Sequence, residues 1–395
     1  MTGTPLTRKE VLARLAAAGS FSGADLRGTD LRELNLAGVD FSGADLTQAR
    51  LDGSSLRKAK LSGSRMAGAT IAGTLLLEAT VEMPRILEAD LRGAMLAGST
   101  FAAADFAGRD LTGCVLAHCD LRGAKFGGAR LKGTDFTSAN LEGADFRKST
   151  MVGPIFDKAN LAKADFSGAA VTAAGFAGAS LDGTNMGEAR FISTDFTGID
   201  LSKARIALTG FLKCTLAGAA LAQRDLAKCD FSDTEFTGAD LAGANLSEAV
   251  LLRADLTGAK LKGATLTSVS ARFAVFEGAD LEGAKLGGAD LRQASFAGAK
   301  LKSANLARAD FHQAIFLKAD LTLAVLHEAK LAYTDFSFAV VEGADFTKAD
   351  LLGATLHAVR ERTARWDGAN LKLVKRTDSD RLDAEGWKPP PLDKK

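Results

Sequence analysis

The sequence predicts an all-β solenoid, a four-sided β-helix, from three observations. They are a five-residue period that never slips, a small residue two places before each large one, and phenylalanines that recur every twentieth residue. Every fifth residue from Phe21 to Leu371 makes 71 positions, and 69 of them hold Leu, Phe, Ile, Val, Met or Trp, with only Ala271 and Glu361 departing. Two residues earlier, 62 of the 71 sites carry Ala, Gly, Ser, Thr or Cys, so most large side chains are paired with a small one. A period of five fits neither the 3.6 of an α-helix nor the 2 of an ordinary strand. It fits a chain that turns a corner every five residues and sends one large and one small side chain inward. The two must share a narrow interior at close-packed density, which is why one of them is small. The other three positions are expected to face water.

The number of sides follows from the phenylalanines. Phe106, Phe126, Phe146 and Phe166 form one series, Phe136, Phe156, Phe176 and Phe196 a second, and Phe276, Phe296, Phe316 and Phe336 a third. Like residues stacking on like imply twenty residues per coil, hence four pentads, and the 71 pentads make about 18 coils.

The motifs Ala24-Asp25-Leu26, Ala44-Asp45-Leu46, Ala144-Asp145-Phe146, Ala239-Asp240-Leu241 and Ala279-Asp280-Leu281 resemble the A(D/N)LXX signature of pentapeptide-repeat proteins. The resemblance covers residues 21 to about 372 and implies a right-handed quadrilateral β-helix. It implies little about function, because members of that family serve unrelated roles.

A solenoid needs closed ends. Residues 1–20 are expected to form a capping helix over 8–18, with Thr7 and Glu10 as a capping box and Leu6 and Val11 as a staple. Val11, Leu12, Leu15 and Ala16 make its apolar stripe, and Gly19 is the expected stop. The repeats then run over 21–372. Residues 373–395 are expected to hold a C-terminal cap, with Leu382 and Trp387 as a lid and a helical turn before Gly386, and a Pro-rich tail. Trp366 is the bulkiest inward residue and Glu361 breaks the register.

Chemistry has few footholds. Cys114, Cys119, Cys214 and Cys229 all take the small inward position, where Cys replaces Ala as a small hydrophobe. His118, His312, His327 and His357 fall at outward positions, read as surface. No catalytic, cofactor or metal motif is present, so the expectation is no enzyme, no cofactor and no metal. With 49 basic against 48 acidic residues, the net charge of +1 attracts neither nucleic acid nor anionic membrane. With no leader-like start and no long apolar run, the expected location is the cytoplasm.

Several irregularities stand out. Arg109 and Arg224 occupy small inward positions, where the coil is expected to open and let the guanidinium out. Pro84 and Pro154 also take inward sites, and residues 75–87 are the expected place for a distorted coil. On one side, the residues just past the inward position read Val152, Thr172, Ile192, Leu212, Ser232 and Leu252, and the same side later carries Phe273 and Tyr333. Val152, Ile192, Leu212, Leu252, Phe273 and Tyr333 are therefore the candidate protein-binding residues.

The favoured function is a non-enzymatic scaffold for other proteins, or for a second copy as a homodimer, with no nucleic acid partner. The alternative, implied by the family resemblance, is mimicry of DNA toward a type II topoisomerase. The neutral net charge counts against it, and the basic run at Arg360, Arg362, Arg365, Lys372, Lys375 and Arg376 is short for a nucleic-acid site. The segment from Leu6 to Leu15 leading into Phe21-Ser22-Gly23-Ala24-Asp25-Leu26 resembles bacterial pentapeptide-repeat proteins encoded with type VI secretion components. That would imply an accessory for effector assembly or loading.

Overall fold

A pentad has five backbone N–H groups to satisfy, and the way it does so fixes the fold. The computed structural model describes residues 4–77, 79 and 88–386. Two compact units divide the chain, Met1–Thr209 and Gly210–Lys395.

In the first unit, Leu26 N–H donates to Asp45 O at 2.9 Å and Gly28 N–H to Thr47 O at 2.9 Å, both in the next coil. Asp45 N–H reaches back to Ala24 O at 2.9 Å, and Thr29 N–H closes the turn onto Leu26 O at 3.1 Å. One donor remains, Arg27 N–H, and Asp25 Oδ1 takes it at 3.2 Å. The second unit repeats the scheme. Leu281, Gly283 and Lys300 make the ladder bonds, Ala284 N–H closes the turn on Leu281 O at 3.0 Å, and Glu282 N–H donates to Asp280 Oδ1 at 3.1 Å. The Asp or Asn before each large inward residue is thus a hydrogen-bond acceptor for the one amide the ladder leaves over. Where Arg stands two places on, it also forks onto that carboxylate, as Arg27 does on Asp25. The hydrogen bonds from Arg27 hold the Asp25 carboxyl below its usual range.

Parallel bridges join residues twenty apart, such as Asp25↔Asp45, Asp145↔Asp165 and Asp280↔Lys300. Each coil therefore has four sides. In most turns the third residue has a left-handed backbone, for example Gly28 at φ 64, with a hydrogen bond between the turn's flanks, which is the type II form. At Pro154 that bond has no donor. The turn bond is also missing at Ala174 and Thr194, which keep their N–H, and along these coils three short strands line up in register: β1 (Thr150–Val152), β2 (Ala170–Thr172) and β3 (Arg190–Ile192). A fourth strand, β4 (Gly210–Leu212), begins the second unit.

The interior is as the period requires. Phe106, Phe126, Phe146 and Phe166 stack at 4.8–5.1 Å between ring centroids, and Phe276, Phe296, Phe316 and Phe336 at 4.7–5.0 Å. Several small polar residues at inward sites find backbone partners: the Thr134, Thr184 and Thr334 hydroxyls donate to the carbonyls of Leu111, Leu161 and Phe311. Cys114 and Cys119 do the same through their thiols, to Leu91 O and Leu96 O.

The exceptions correct one expectation. The coil does not open at Arg109 or Arg224: Arg130 N–H still donates to Arg109 O at 2.9 Å and Asn245 N–H to Arg224 O at 2.8 Å. The Arg109 side chain is exposed, while Arg224 is half-buried with its Nε shielded from water. Near the suspected distorted coil, Gly68 and Gly73 donate to Glu88 O and Gly93 O, one residue further along than the ladder elsewhere. Most of residues 75–87 (78 and 80–87) lies outside the described residues.

The first helix, α1 (Arg8–Ala16), carries the Thr7–Glu10 capping box. It ends two residues earlier than expected. Ala18, not Gly19, takes the left-handed conformation, with Ala18 N–H on Leu15 O and Gly19 N–H on Arg14 O. Its buried stripe is narrower too: Val11 is buried and Leu15 half-buried, while Leu12 and Ala16 are exposed. Leu6 N–H pairs with Asp25 O at 2.9 Å, and the Arg8 guanidinium donates to Asp30 O and Arg32 O at 3.0 Å each. A second helix, α2 (Ser379–Gly386), follows the last repeats. Leu382 is exposed rather than a lid, Trp366 is half-buried although stacked 4.3 Å from Phe346, and Trp387 lies outside the described residues.

Candidate protein-binding surface

Because the inward positions are committed to packing, any site must be built from the outward three. In the first unit, register places Val152, Thr172 and Ile192 side by side across β1, β2 and β3. Val152 is 45% exposed, while Ile192 is half-buried. In the second unit, Leu212 and Leu252 are likewise half-buried, whereas Phe273 is 41% and Tyr333 53% exposed. The candidate residues therefore differ: Val152, Phe273 and Tyr333 stand out, and Ile192, Leu212 and Leu252 lie down among their neighbours.

Further apolar side chains join them at a position the sequence reading passed over, the residue just before the inward one. Leu75, Met95 and Ile155 are exposed in the first unit, and Ile315 in the second. Bridges connect Leu75 to Met95 and Met95 to Val115, so three apolar residues succeed one another along one edge. Aligning that position at every twentieth residue was the available signal.

The titratable groups are mostly tied down. Burial pushes the Cys114 thiol up to about 12 and the Cys119 thiol up to about 11, which keeps both protonated and unreactive at neutral pH. His118 is exposed, and His312 and His327 are half-buried at the surface. His357 is the exception to its expected place: it is 2% exposed, covered by α2. Its Nε2 lies 3.0 Å from Glu385 Oε2, and its Nδ1 accepts from Asp378 N–H at 3.3 Å. Half of the basic run is paired, Arg360 with Glu342, Arg365 with Asp345 and Arg376 with Glu361. Among the described residues, no group of three His, Cys, Asp or Glu side chains is placed to hold a metal. Among the same residues, no helix is long and apolar enough to cross a membrane.

The comparisons with known proteins come down on the repeat. The family model for pentapeptide repeats matches in overlapping copies over residues 20–76, 114–206 and 214–360. No curated protein matches the chain. Among solved structures, HetL, a pentapeptide repeat protein involved in heterocyst differentiation regulation from the cyanobacterium Nostoc sp., is 22% identical. That match covers 72% of this chain and 87% of HetL, with a TM-score of 0.18. QnrB1, a plasmid-mediated fluoroquinolone resistance protein, is 18% identical over 60% of this chain and 99% of its own, with a TM-score of 0.22. A pentapeptide repeat protein from the Arabidopsis thaliana thylakoid lumen is 28% identical over 25% of this chain and 69% of its own, at a TM-score of 0.16. At scores this low nothing of those proteins' biology transfers. The family model, together with the twenty-residue ladder and the paired large and small inward residues, places this chain in the pentapeptide-repeat family of right-handed quadrilateral β-helices.

Proposed function

We propose that this protein is a non-enzymatic scaffold that binds other proteins through the outward positions of its coils. The observation that carries the reading is the set of exposed apolar side chains at sites the repeat otherwise fills with polar residues: Val152 and Ile155 in the first unit, Phe273 and Tyr333 in the second. Such side chains add nothing to the core, and an apolar surface gains free energy when a partner covers it. The resemblance of the N-terminal segment to members encoded with type VI secretion components supports a finer form, a cytoplasmic accessory for effector assembly or loading.

The test is a double substitution, Val152→Lys with Ile192→Lys, in the full chain. Both residues point outward, so the melting temperature should stay within about 2 °C of the parent. Capture of partner proteins from the native cell, or self-association by light scattering, should fall. A folded double variant that captures the same partners at the same yield, and keeps the parent's molar mass, removes this surface from the reading.

A further inference from the structure

The second unit carries a face whose chemistry points to a particular partner, an inference that rests on the scaffold reading above. Four residues twenty apart, Phe273, Gln293, Gln313 and Tyr333, stand two places past the inward residue, all with left-handed backbones at φ 58–59. Neighbouring pentads place glycine at the equivalent site, as at Gly263 and Gly283. A bulky side chain is disfavoured in that conformation, and the two aromatic rings lie outside the core.

Each ring is held in place. The Arg272 guanidinium carbon lies 5.5 Å from the Phe273 ring centroid. The Tyr333 ring lies across Gly353, where an added Cβ would come within 2.8 Å of its Cδ1 and Cε1, and His312 meets it edge-on at 5.6 Å. Between the rings, Gln293 Nε2 donates to Gln313 Oε1 at 3.0 Å. The arginines of the coils before and after are forked onto carboxylates, Arg253 on Asp233 and Arg292 on Asp290. Among the described residues, the half-buried Arg272 guanidinium has no hydrogen bond and no ion pair within 4.0 Å; its charge is felt by the Asp290 carboxylate, which Arg292 already forks onto, and its Nε is shielded from water. A guanidinium beside an aromatic ring keeps its terminal N–H donors for a planar acceptor, above all a carboxylate.

We propose that this face binds an extended acidic peptide segment. A carboxylate of the segment sits on Arg272 beside Phe273, and its backbone lies along the Gln293–Gln313 pair. An apolar side chain about four residues further on packs against Tyr333. The lengths agree: three coil steps at ~4.8 Å span about 14 Å, and four residues of extended chain at ~3.3 Å span about 13 Å.

The experiment selects a displayed random-peptide library on the immobilised full-length protein and measures the resynthesised winners by calorimetry. The winners should share an Asp or Glu four residues from an apolar residue. Their affinity should fall about tenfold for Arg272→Gln and, independently, for Tyr333→Ala, with Arg272→Lys keeping part of it. Salt at about 0.5 M should weaken binding to the parent. No enrichment over a blank surface, or winners bound equally by Arg272→Gln, overturns the proposal. So does a dimer in light scattering that Tyr333→Ala abolishes, which assigns the face to a second copy. The Val152→Lys, Ile192→Lys variant separates the two readings. If it loses partners while no peptide depends on Arg272, the scaffold reading stands and the acidic segment fails. If peptide binding depends on Arg272 while the variant keeps its partners, the first-unit surface fails instead.

Discussion

The two ends of the chain are closed by different means. At the N-terminal end, the ladder is continued by the chain itself and then by one side chain. Leu6 N–H takes Asp25 O, and the Arg8 guanidinium takes Asp30 O and Arg32 O, carbonyls that a preceding coil would otherwise satisfy. Val11 is buried beneath α1, and Arg14 lies over Phe21. At the C-terminal end the repeats themselves lose burial: Trp366 is half-buried, Leu371 is exposed and Leu373 is 75% exposed. There α2 is held by the buried His357, through Glu385 and the Asp378 amide, with Phe338 edge-on at 5.3 Å. The lesson is that a β-helix can be ended by extending its hydrogen-bond ladder or by pinning a helix across its flank.

The C-terminal closure depends most on His357. His357→Ala removes a buried ring and both of its polar contacts, and should cost about 2–3 kcal/mol, felt mainly as release of α2. Hydrogen exchange should then rise across 379–386 while α1 stays protected. Equal protection of α2 in the variant means that something other than His357 holds it. Arg8→Met is the matching cut at the other end, leaving two carbonyls without their donors at about 1–2 kcal/mol. Exchange should rise at Leu6 and through α1, and a melting temperature unchanged within error would deny Arg8 that role. The smallest change runs the other way. Ala18 sits at φ 50, so Ala18→Gly should stabilise the N-terminal end by about 0.4–1 kcal/mol, read as a small rise in melting temperature.

How much of this the sequence carries can be said residue by residue. The stacked phenylalanines and the small partners beside them are legible because burial in a coil depends only on position within the pentad. Pro154 stood out in the sequence as an inward proline, but the open turns at 171–174 and 191–194 carry no such mark. The role of the recurring Asp and Asn becomes clear only when the amides are followed one by one: Asp25 and Asp280 accept the donor that the ladder omits. His357 was misjudged as surface because the pentad rule describes a bare coil, and α2 covers it from outside the repeat. At Arg109 the guanidinium does reach solvent, but the expected opening of the coil does not occur. A long flexible side chain can leave an inward site while its backbone stays in the ladder. Among the candidate binding residues, position alone identified the outward side but not exposure. Ile192 and Leu252 lie half-buried, and Val152 and Tyr333 do not.

Every surface assignment depends on residues twenty apart being neighbours, and disulfide trapping tests that most directly. Ser138 and Lys158 occupy equivalent turn positions in adjacent coils of the first unit, where Ser138 N–H donates to Asp157 O at 2.8 Å. Adjacent strands sit ~4.8 Å apart, within the Cα separation of about 4.4–6.8 Å that a disulfide spans. Ser138→Cys with Lys158→Cys should oxidise to an intramolecular disulfide without loss of the native melting transition. Ser138→Cys with Lys148→Cys, half a coil away, should stay reduced. A disulfide in the second pair, or none in the first, would contradict the four-sided coil.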